Sequence, residues 1–184
     1  VTINVLRNNV ISSSHSINQY APLIVSSHSS ITCAGTITAG TSVGCTLVGR
    51  NISNQLVGNS PSAPAWKVIL TSAIHGEVLL STNYQATGTY TASAQVFKAG
   101  VWSILGTFAG QSISINTTDG GSTIVVKPSS ISESTTTMTC PTTSPANKEV
   151  SCTVYPKDVN GNLAGTEATK NSFDVIAILP DGAP

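Results

Sequence analysis

A pair of cysteines with eleven residues between its members occurs twice in the chain. Cys33 and Cys45 form the first pair, and Cys140 and Cys152 form the second. Both members are offset by 107 residues between the two copies, and a fixed offset of this kind marks a repeat array. The cysteine register therefore predicts that the chain contains two copies of one domain.

The similarity between the two copies continues beyond the cysteines. Aligning residues 31–70 with residues 138–177 without a gap makes about ten of some forty positions identical. Apolar positions stay apolar even where the residues differ, as a shared hydrophobic core requires. The matched pairs include Ala39 with Ala146, Val43 with Val150, Leu56 with Leu163, Gly58 with Gly165, Trp66 with Phe173, Val68 with Val175 and Ile69 with Ile176. We interpret residues 22–127 as a complete repeat and residues 128–184 as the N-terminal half of the next repeat.

Residues 1–21 are interpreted as the closing strand and linker of a preceding repeat. Residues 1–7 alternate between apolar and polar side chains, which predicts a strand, and they resemble Ser112–Asn116 at the end of the complete repeat. The alternative is an extension that pairs with a neighbouring subunit through its free backbone groups. Both interpretations stay open, and we expect the chain to belong to a longer secreted or surface-anchored protein.

Composition favours an all-β protein without an electrostatic partner. Charged residues make up 9% of the chain and the formal net charge is zero, so nothing attracts nucleic acid or anionic lipid. Roughly a quarter of the residues are Ser or Thr, and Val, Ile and Thr are plentiful, which favours strands over helices. No apolar run approaches the roughly 20 residues of a membrane span, and no signal peptide is visible.

The paired cysteines favour disulfides over a metal site. Zinc ligands usually show shorter spacings with histidine alongside, and the three histidines lie near neither pair. Antiparallel pairing of a strand that ends at Cys33 with a strand that contains Cys45 would place the two Cα atoms about 5.5 Å apart, within disulfide reach. We predict disulfides between Cys33 and Cys45 and between Cys140 and Cys152. The histidines are His15, His28 and His75.

The disulfides point to an oxidising compartment, so we expect an extracellular or cell-surface protein. The alternative is a set of four reduced, buried thiols in a cytosolic protein. Two glycosylation sequons, which begin at Asn51 and Asn116, agree with the extracellular interpretation. Each sequon is a hypothesis because such triplets also arise by chance in a chain rich in Asn, Ser and Thr.

Alternating runs separated by turn residues predict seven strands in the complete repeat. On strand C we expect Trp66, Val68 and Leu70 to face the core, with the tryptophan packing against the opposite sheet. The seven strands describe an immunoglobulin-like sandwich. The predicted strands are A at 22–33, B at 43–50, C at 65–71, D at 77–83, E at 88–96, F at 101–108 and G at 111–127, the last with a bulge at 117–122.

Two runs of sequence resemble the filamin-type repeat. Residues 88–113, GTYTASAQVFKAGVWSILGTFAGQSI, resemble its Gly-Thr-Tyr strand, Ala-Gly turn, aromatic-x-Ile strand and Gly-Gln-x-Ile start of the last strand. Residues 157–177 resemble its D-x-x-G-N turn followed by a Phe-x-Val strand. The resemblance implies tandem immunoglobulin-like sandwiches. The cysteine pairs and the richness in Ser and Thr depart from the cytoskeletal members, so actin binding is not carried over.

We predict that the chain is not an enzyme, and we expect no cofactor and no metal. The few carboxylates form no pair at a spacing suited to acid and base chemistry, and the histidines are scattered. Residues 158–162, Asp-Val-Asn-Gly-Asn, resemble a calcium loop at first sight. The glycine stands at the fourth position rather than the sixth and no Glu closes the site, so a turn explains this segment better.

The function predicted from the sequence is structural. We expect an extracellular fibre, stalk or surface filament of sandwich repeats, each stabilised by one disulfide and carrying glycans, with neighbouring repeats or copies of itself as partners. The alternative is a cell-surface adhesion module that binds a partner protein or glycan through strand edges or loops. A cytosolic scaffold would instead have reduced thiols and unmodified Asn51 and Asn116.

Overall fold

Strands and turns dominate the computed structural model, which describes residues 2–7, 10–16, 23–145 and 148–176, with side chains from residue 23 onward. Short 3-10 turns cover Ser26–His28, Ser60–Ala65 and Glu167–Ser172. The strands are β1 (Thr2–Arg7), β2 (Val10–Ser16), β3 (Ser30–Cys33), β4 (Thr36–Thr38), β5 (Thr41–Val48), β6 (Trp66–Ser72), β7 (Gly76–Leu79), β8 (Ser81–Ala86), β9 (Thr89–Val96), β10 (Gly100–Phe108), β11 (Gln111–Ser112), β12 (Ser114–Thr117), β13 (Thr123–Lys127), β14 (Thr137–Thr139) and β15 (Thr153–Tyr155).

Two sheets pack face to face between residues 30 and 127. One sheet has the strand order β4-β13-β10-β6-β7, with β11 also paired to β10, and the other has the order β12-β3-β5-β9-β8. Pairing is antiparallel except between β12 and β3 and between β13 and β4. The predicted all-β, immunoglobulin-like sandwich is confirmed.

The core lies between the inner faces of the two sheets, as the alternation of apolar and polar residues predicts. Val43, Cys45 and Leu47 of β5 are buried, while their neighbours Ser42 and Thr46 are exposed. On β6 the predicted core residues Trp66, Val68 and Leu70 are buried. The rings of Tyr90 and Phe108 lie 5.4 and 5.0 Å from the Trp66 ring, between centroids, so this tryptophan packs against aromatic neighbours.

The predicted strands A and D are wrong in their extent. Strand A is limited to β3, because residues 23–25 are irregular and Ser26–His28 forms a 3-10 turn. Residues 36–38, which lie between the predicted strands A and B, form β4 at the edge of the other sheet. Strand D is divided into β7 and β8, which belong to different sheets on either side of the buried Leu80.

The predicted strand G is also wrong, because its bulge is a crossing between sheets. Strands β11 and β13 pair with β10, whereas β12 pairs with β3 in the opposite sheet. The residues between β12 and β13 form a turn in which the Gly120 N–H donates to the Thr117 carbonyl. Alternation looks the same in either sheet, so the sequence pattern did not reveal the crossing.

Cys33 and Cys45 are directly opposite residues of β3 and β5, and they form a disulfide. Their Cα atoms are 4.0 Å apart, so the expected separation of about 5.5 Å is wrong. The Ala34 N–H donates to the Gly44 carbonyl, which makes the cysteines a non-hydrogen-bonded pair, the closer of the two antiparallel arrangements. Cys140 and Cys152 form the second disulfide, with Cα atoms 4.3 Å apart.

Near the N-terminus, β1 and β2 form a two-stranded antiparallel sheet of their own. The predicted strand at residues 1–7 corresponds to β1, whereas β2 was not predicted. Within the described residues β1 pairs with β2 alone. Whether this segment closes a preceding repeat or extends toward a neighbouring subunit stays a prediction.

Several backbone hydrogen bonds in the loops of the first copy recur in the second copy at the same offset of 107 residues. The 3-10 turn Ser60–Ala65 corresponds in the same way to Glu167–Ser172, which precedes Phe173 as the first precedes Trp66. The equivalent N–H to carbonyl pairs are Val25 to Arg50 and Ser132 to Lys157, Asn51 to Gln55 and Asp158 to Asn162, Asn54 to Asn51 and Gly161 to Asp158, and Val57 to Gly49 and Ala164 to Pro156. The repeat inferred from the cysteines therefore extends to the details of loop conformation.

The core of the second copy is uncovered within the described residues. Strands β14 and β15 pair with each other alone, and the Phe-x-Val strand that the resemblance implied is absent, since residues 173–176 are irregular. A strand forms where neighbours accept its backbone hydrogen bonds, and the strands that flank β6 have no described counterpart here. Val154, Phe173 and Val175 consequently line an open groove.

Candidate functional site at the junction between the repeats

The turn at residues 158–162, named here the junction turn, is built around the side chain of Asp158. Its Oδ1 atom accepts hydrogen bonds from the backbone N–H groups of Asn160 and Asn162, both at 2.9 Å. The Gly161 N–H donates to the Asp158 carbonyl at 2.9 Å, and Gly161 has φ 78°, a conformation that glycine adopts without strain. The Asp-x-x-Gly-Asn sequence therefore folds locally into a tight turn.

The same aspartate fastens the linker that joins the two copies. Its Oδ2 atom accepts a hydrogen bond of 2.9 Å from the backbone N–H of Ser129, just beyond the end of β13. The hydroxyl group of Thr135 donates to the Asp158 carbonyl at 2.8 Å, and the Ser132 N–H donates to the Lys157 carbonyl at 2.7 Å. The linker is thus held along its length by the junction turn and the residue before it.

The junction turn also contacts the first repeat directly. The Asn162 side chain donates from Nδ2 to the Phe97 carbonyl at 2.8 Å and accepts at Oδ1 from the Ala99 N–H at 2.9 Å. The Lys98 ammonium donates to the Asn160 carbonyl at 3.4 Å. Phe97–Ala99 connects β9 to β10, so one asparagine side chain completes the backbone hydrogen bonding of that connection.

Asp158 is a fully buried carboxylate that is surrounded by N–H donors. Burial alone would raise the pKa of the Asp158 carboxyl group. The hydrogen bonds from the Asn162 side chain and from the N–H groups of Ser129, Asn162 and Asn160 outweigh burial and lower this pKa below its ordinary value. The group is therefore ionised at neutral pH, and its negative charge is stabilised by these hydrogen bonds.

This arrangement does not fit the calcium alternative. Both carboxylate oxygens of Asp158 face N–H groups, whereas a calcium ion needs six to eight oxygen ligands directed at one point. Over residues 23–145 and 148–176, the His, Cys, Asp and Glu side chains form no group of three or more that could hold a metal ion. The segment is a structural turn, as its residue types predicted.

The equivalent turn of the first copy, Asn51–Gln55, uses an amide in place of the carboxylate. Oδ1 of Asn51 accepts from the backbone N–H groups of Ser53 at 3.0 Å and Gln55 at 2.9 Å. Its Nδ2 donates to Oε1 of the Gln55 side chain at 3.1 Å. Asn54 has φ 62°, the position that Gly161 occupies in the second copy. All polar atoms of the Asn51 side chain therefore take part in the turn itself.

The two predicted glycosylation residues have different surroundings. Asn51 is half-buried within its turn, whereas Asn116 lies on β12 with its side chain exposed on the outer face of the five-stranded sheet. The structure brings together the members of each predicted cysteine pair and no other predicted site residues. His28 and His75 are exposed and far apart in sequence, and the side chain of His15 lies outside the described residues.

The sequence predicts the junction turn but not the groups that the turn binds. The Asp-x-x-Gly-Asn pattern marks a turn, yet nothing in it identifies Ser129 or the Phe97–Ala99 connection as the groups it binds. The available signal was the comparison of the two copies, in which Asn51 and Gln55 are replaced by Asp158 and Asn162. The carboxylate and the shorter amide in the second copy indicate that its turn has different hydrogen-bond partners from the turn of the first copy. No helix in the described residues has the length and apolar character needed to cross a bilayer.

Comparisons with known proteins support the fold. No protein-family model matches the sequence, and no curated protein sequence matches it. Among solved structures, the chain is similar to an Escherichia coli adhesin, FdeC, with 20% identity and a TM-score of 0.55 over 84% of this chain and 48% of the adhesin chain. It is also similar to the filamin domain of Lin-41, with 14% identity and a TM-score of 0.47 over 56% of this chain and 96% of that domain.

The strand topology and the adhesin structure together establish the fold class. The chain spans about half the length of the adhesin structure that it matches. The described residues form an immunoglobulin-like sandwich, followed by a second set of strands, and each copy contains one disulfide. Neither similar structure is described as an enzyme.

Proposed function

We propose that this chain is a segment of a stiff stalk or filament of sandwich repeats that is displayed outside the cell. The observation that carries the proposal is the junction turn, whose buried residues Asp158 and Asn162 are bonded to the linker and to the end of the first repeat. Adjacent domains usually move relative to one another unless their interface is extensive. Hydrogen bonds between the linker and the junction turn restrict the motion of one repeat relative to the other.

The linker itself supports a rod over a flexible chain. Flexible linkers leave their backbone groups to water. Residues 128–137 contain four serines but no glycine, and several of their backbone and hydroxyl groups are bonded to the second copy. Here Ser129, Ser132 and Thr135 all bond to Lys157 or Asp158. Repeats joined in this way transmit force along the array through a continuous set of hydrogen bonds.

The extracellular or cell-surface location is supported by the disulfides. Two bridges, one in each copy, are typical of proteins that mature in an oxidising compartment. The exposed Asn116 is sterically suited to carry a glycan, and we propose glycosylation at Asn116 and at Asn51 when its turn opens. Intact mass and peptide mapping of the natively purified protein, with and without reduction and deglycosylation, test both points. Free thiols together with the mass of the bare chain would refute the location.

Hydrogen exchange on the full chain tests the rigid junction. We expect slow exchange of the backbone amides of Ala99 and Ser129, whose N–H groups donate to the junction turn. Replacement of Asn162 by Ala should accelerate exchange at Ala99 at least about tenfold, since its acceptor is removed. The matched control is Gln55→Ala at the equivalent position of the first copy, which should leave Ala99 unchanged. Exchange of Ser129 at the rate of an unfolded peptide in the unmodified chain would contradict the proposal.

A second candidate function is adhesion, and it is favoured by the similarity to FdeC, which is described as an adhesin. One fold can serve both functions, which differ in what the repeats themselves contact. Purified protein immobilised on beads would be tested for capture of host cells or glycans. Saturable binding by the repeats themselves favours adhesion, and binding by another region of the parent protein favours the stalk.

A further inference from the structure

The two outer faces of the sandwich have different chemistry. Outward residues of the five-stranded sheet carry hydroxyl and amide groups, apart from Gly44, Ala86 and the half-buried Val48. The outer face of the six-stranded sheet instead carries large apolar side chains at its centre. Representative outward residues of the five-stranded sheet are Thr32, Thr46, Asn83, Ser93, Gln95 and Asn116.

The apolar residues of the six-stranded sheet form a continuous row across three strands. Leu79 pairs with Ile69, and Ile69 pairs with Leu105, so the three side chains are adjacent on β7, β6 and β10. Leu79 is 65% exposed and Leu105 is 54% exposed. A second apolar pair, Val101 with Val125, lies on the same face beyond an intervening row of hydroxyl groups. The three apolar side chains are therefore neighbours on one face and not scattered singly, a grouping that suits an interaction site.

Charged groups flank the row in a self-complementary pattern. Lys67 lies two residues from Ile69 on one side of the row, and Glu77 lies two residues from Leu79 on the other side. A two-fold axis along the row would place Leu79, Ile69 and Leu105 of one chain against the same residues of a second chain. The side of the row that carries Lys67 would then face the side that carries Glu77. The ammonium group of each Lys67 would then approach Glu77 of the other copy, as an isologous interface requires.

From this geometry we propose that the face defined by Leu79, Ile69 and Leu105 binds the same face of a second copy of the chain. The formal net charge of zero removes the overall repulsion that keeps many proteins apart. Both sequons lie elsewhere, since Asn51 belongs to a turn and Asn116 to the opposite sheet. The face therefore remains bare even when both residues are glycosylated. This lateral association is independent of the end-to-end junction.

Sedimentation velocity of the full chain over a range of concentrations tests the proposal. We expect a monomer–dimer equilibrium that Leu105→Arg weakens by about tenfold or more, because a charge then enters the apolar centre of the interface. The matched control is Thr46→Arg, which adds the same charge at an exposed central position of the opposite face. Thr46→Arg should leave the dissociation constant unchanged. Far-UV circular dichroism verifies that both variants are folded.

A charge exchange supplies the second arm of the experiment. Lys67→Glu should weaken the dimer through repulsion of like charges, and the double variant Lys67→Glu with Glu77→Lys should restore it. Phe173→Arg tests the other possible interface, because it places a charge in the open groove of the second copy. The proposal would be overturned by a protein that is monomeric at every concentration, by equal effects of Leu105→Arg and Thr46→Arg, or by association that only Phe173→Arg abolishes.

Discussion

The two copies have equivalent turns, Asn51–Gln55 and Asp158–Asn162, with the same backbone hydrogen bonds. The two turns differ in the groups that their side chains bind. In each turn, one side-chain oxygen of the first residue accepts two backbone N–H groups. The second polar atom differs: the Asn51 amide donates within its own turn, whereas the Asp158 carboxylate accepts from Ser129 of the linker. Two changes of side chain, from Asn51 to Asp158 and from Gln55 to Asn162, thus distinguish a self-contained turn from a turn that joins two repeats.

The largest expected difference between the copies concerns the equivalent aromatic residues Trp66 and Phe173. Trp66 is 2% exposed between the sheets, so we expect Trp66→Ala to lower the free energy of unfolding of the first repeat by about 3–5 kcal/mol. Phe173 lines an open groove, and Phe173→Ala should change this free energy by less than about 0.5 kcal/mol. Denaturant unfolding monitored by tryptophan fluorescence, with Trp102 as reporter, measures both variants. Equal losses would show that the two copies unfold as one unit.

The disulfides should also affect the two copies differently. Both close loops of the same sequence separation, 12 residues, so loop entropy alone predicts about 3 kcal/mol for each. Replacement of Cys33 and Cys45 by Ala should therefore lower the unfolding free energy of the first repeat by about that amount. Replacement of Cys140 and Cys152 should leave it unchanged and accelerate hydrogen exchange in β14 and β15. Destabilisation of the first repeat by the second replacement would contradict this separation.

Asp158 and Asn51 provide a direct test of the two turns. Asp158→Ala removes the acceptor of the buried N–H group of Asn162 and of the partly buried N–H groups of Ser129 and Asn160, at a cost of about 1–3 kcal/mol. Asn51→Ala should cost less, since its turn is more accessible to water that replaces the lost bonds. Thermal unfolding of both variants measures the difference.

A sharper version of this test is Asp158→Asn, which gives the second copy the side chain of the first. We expect the turn to persist, because an amide oxygen still accepts from Asn160 and Asn162. We expect exchange of the Ser129 amide to accelerate, because an NH₂ group then replaces its acceptor. Unchanged protection of Ser129 would show that the carboxylate is not what fastens the linker.

The smallest expected effect is the response of the junction to pH. The pKa of Asp158 is lowered from its ordinary value of 3.8, so the unfolded state binds more protons than the folded state at low pH. The stabilisation is fully present above the ordinary value and is lost as pH falls through the lowered pKa of the folded state. Exchange at Ser129, corrected for intrinsic rates, should be constant from neutral pH down to about 5 and rise only in strong acid. Loss of protection near neutral pH, or the same profile in Asp158→Asn, would contradict this assignment.

Sequence patterns revealed the inner faces of the strands better than the strand boundaries. Trp66, Val68 and Leu70 are buried as alternation predicted, since inward and outward residues alternate along any strand. The same alternation does not say which sheet a strand joins, and the divisions between β7 and β8 and between β12 and β13 were therefore missed. At the junction, the pattern predicted the turn but not Ser129, Phe97 or Ala99.

By itself, the sequence determined the repeat, the pairing of cysteines and the class of fold, because these depend on spacing, on alternation and on residue type. A fixed offset places equivalent residues in equivalent loops, as the matched hydrogen bonds of the two turns demonstrate. Only the tertiary structure decided which groups those turns bind. Asp158 is buried because the linker and the Phe97–Ala99 connection meet it in space, and such contacts between distant segments leave no local signal in the chain.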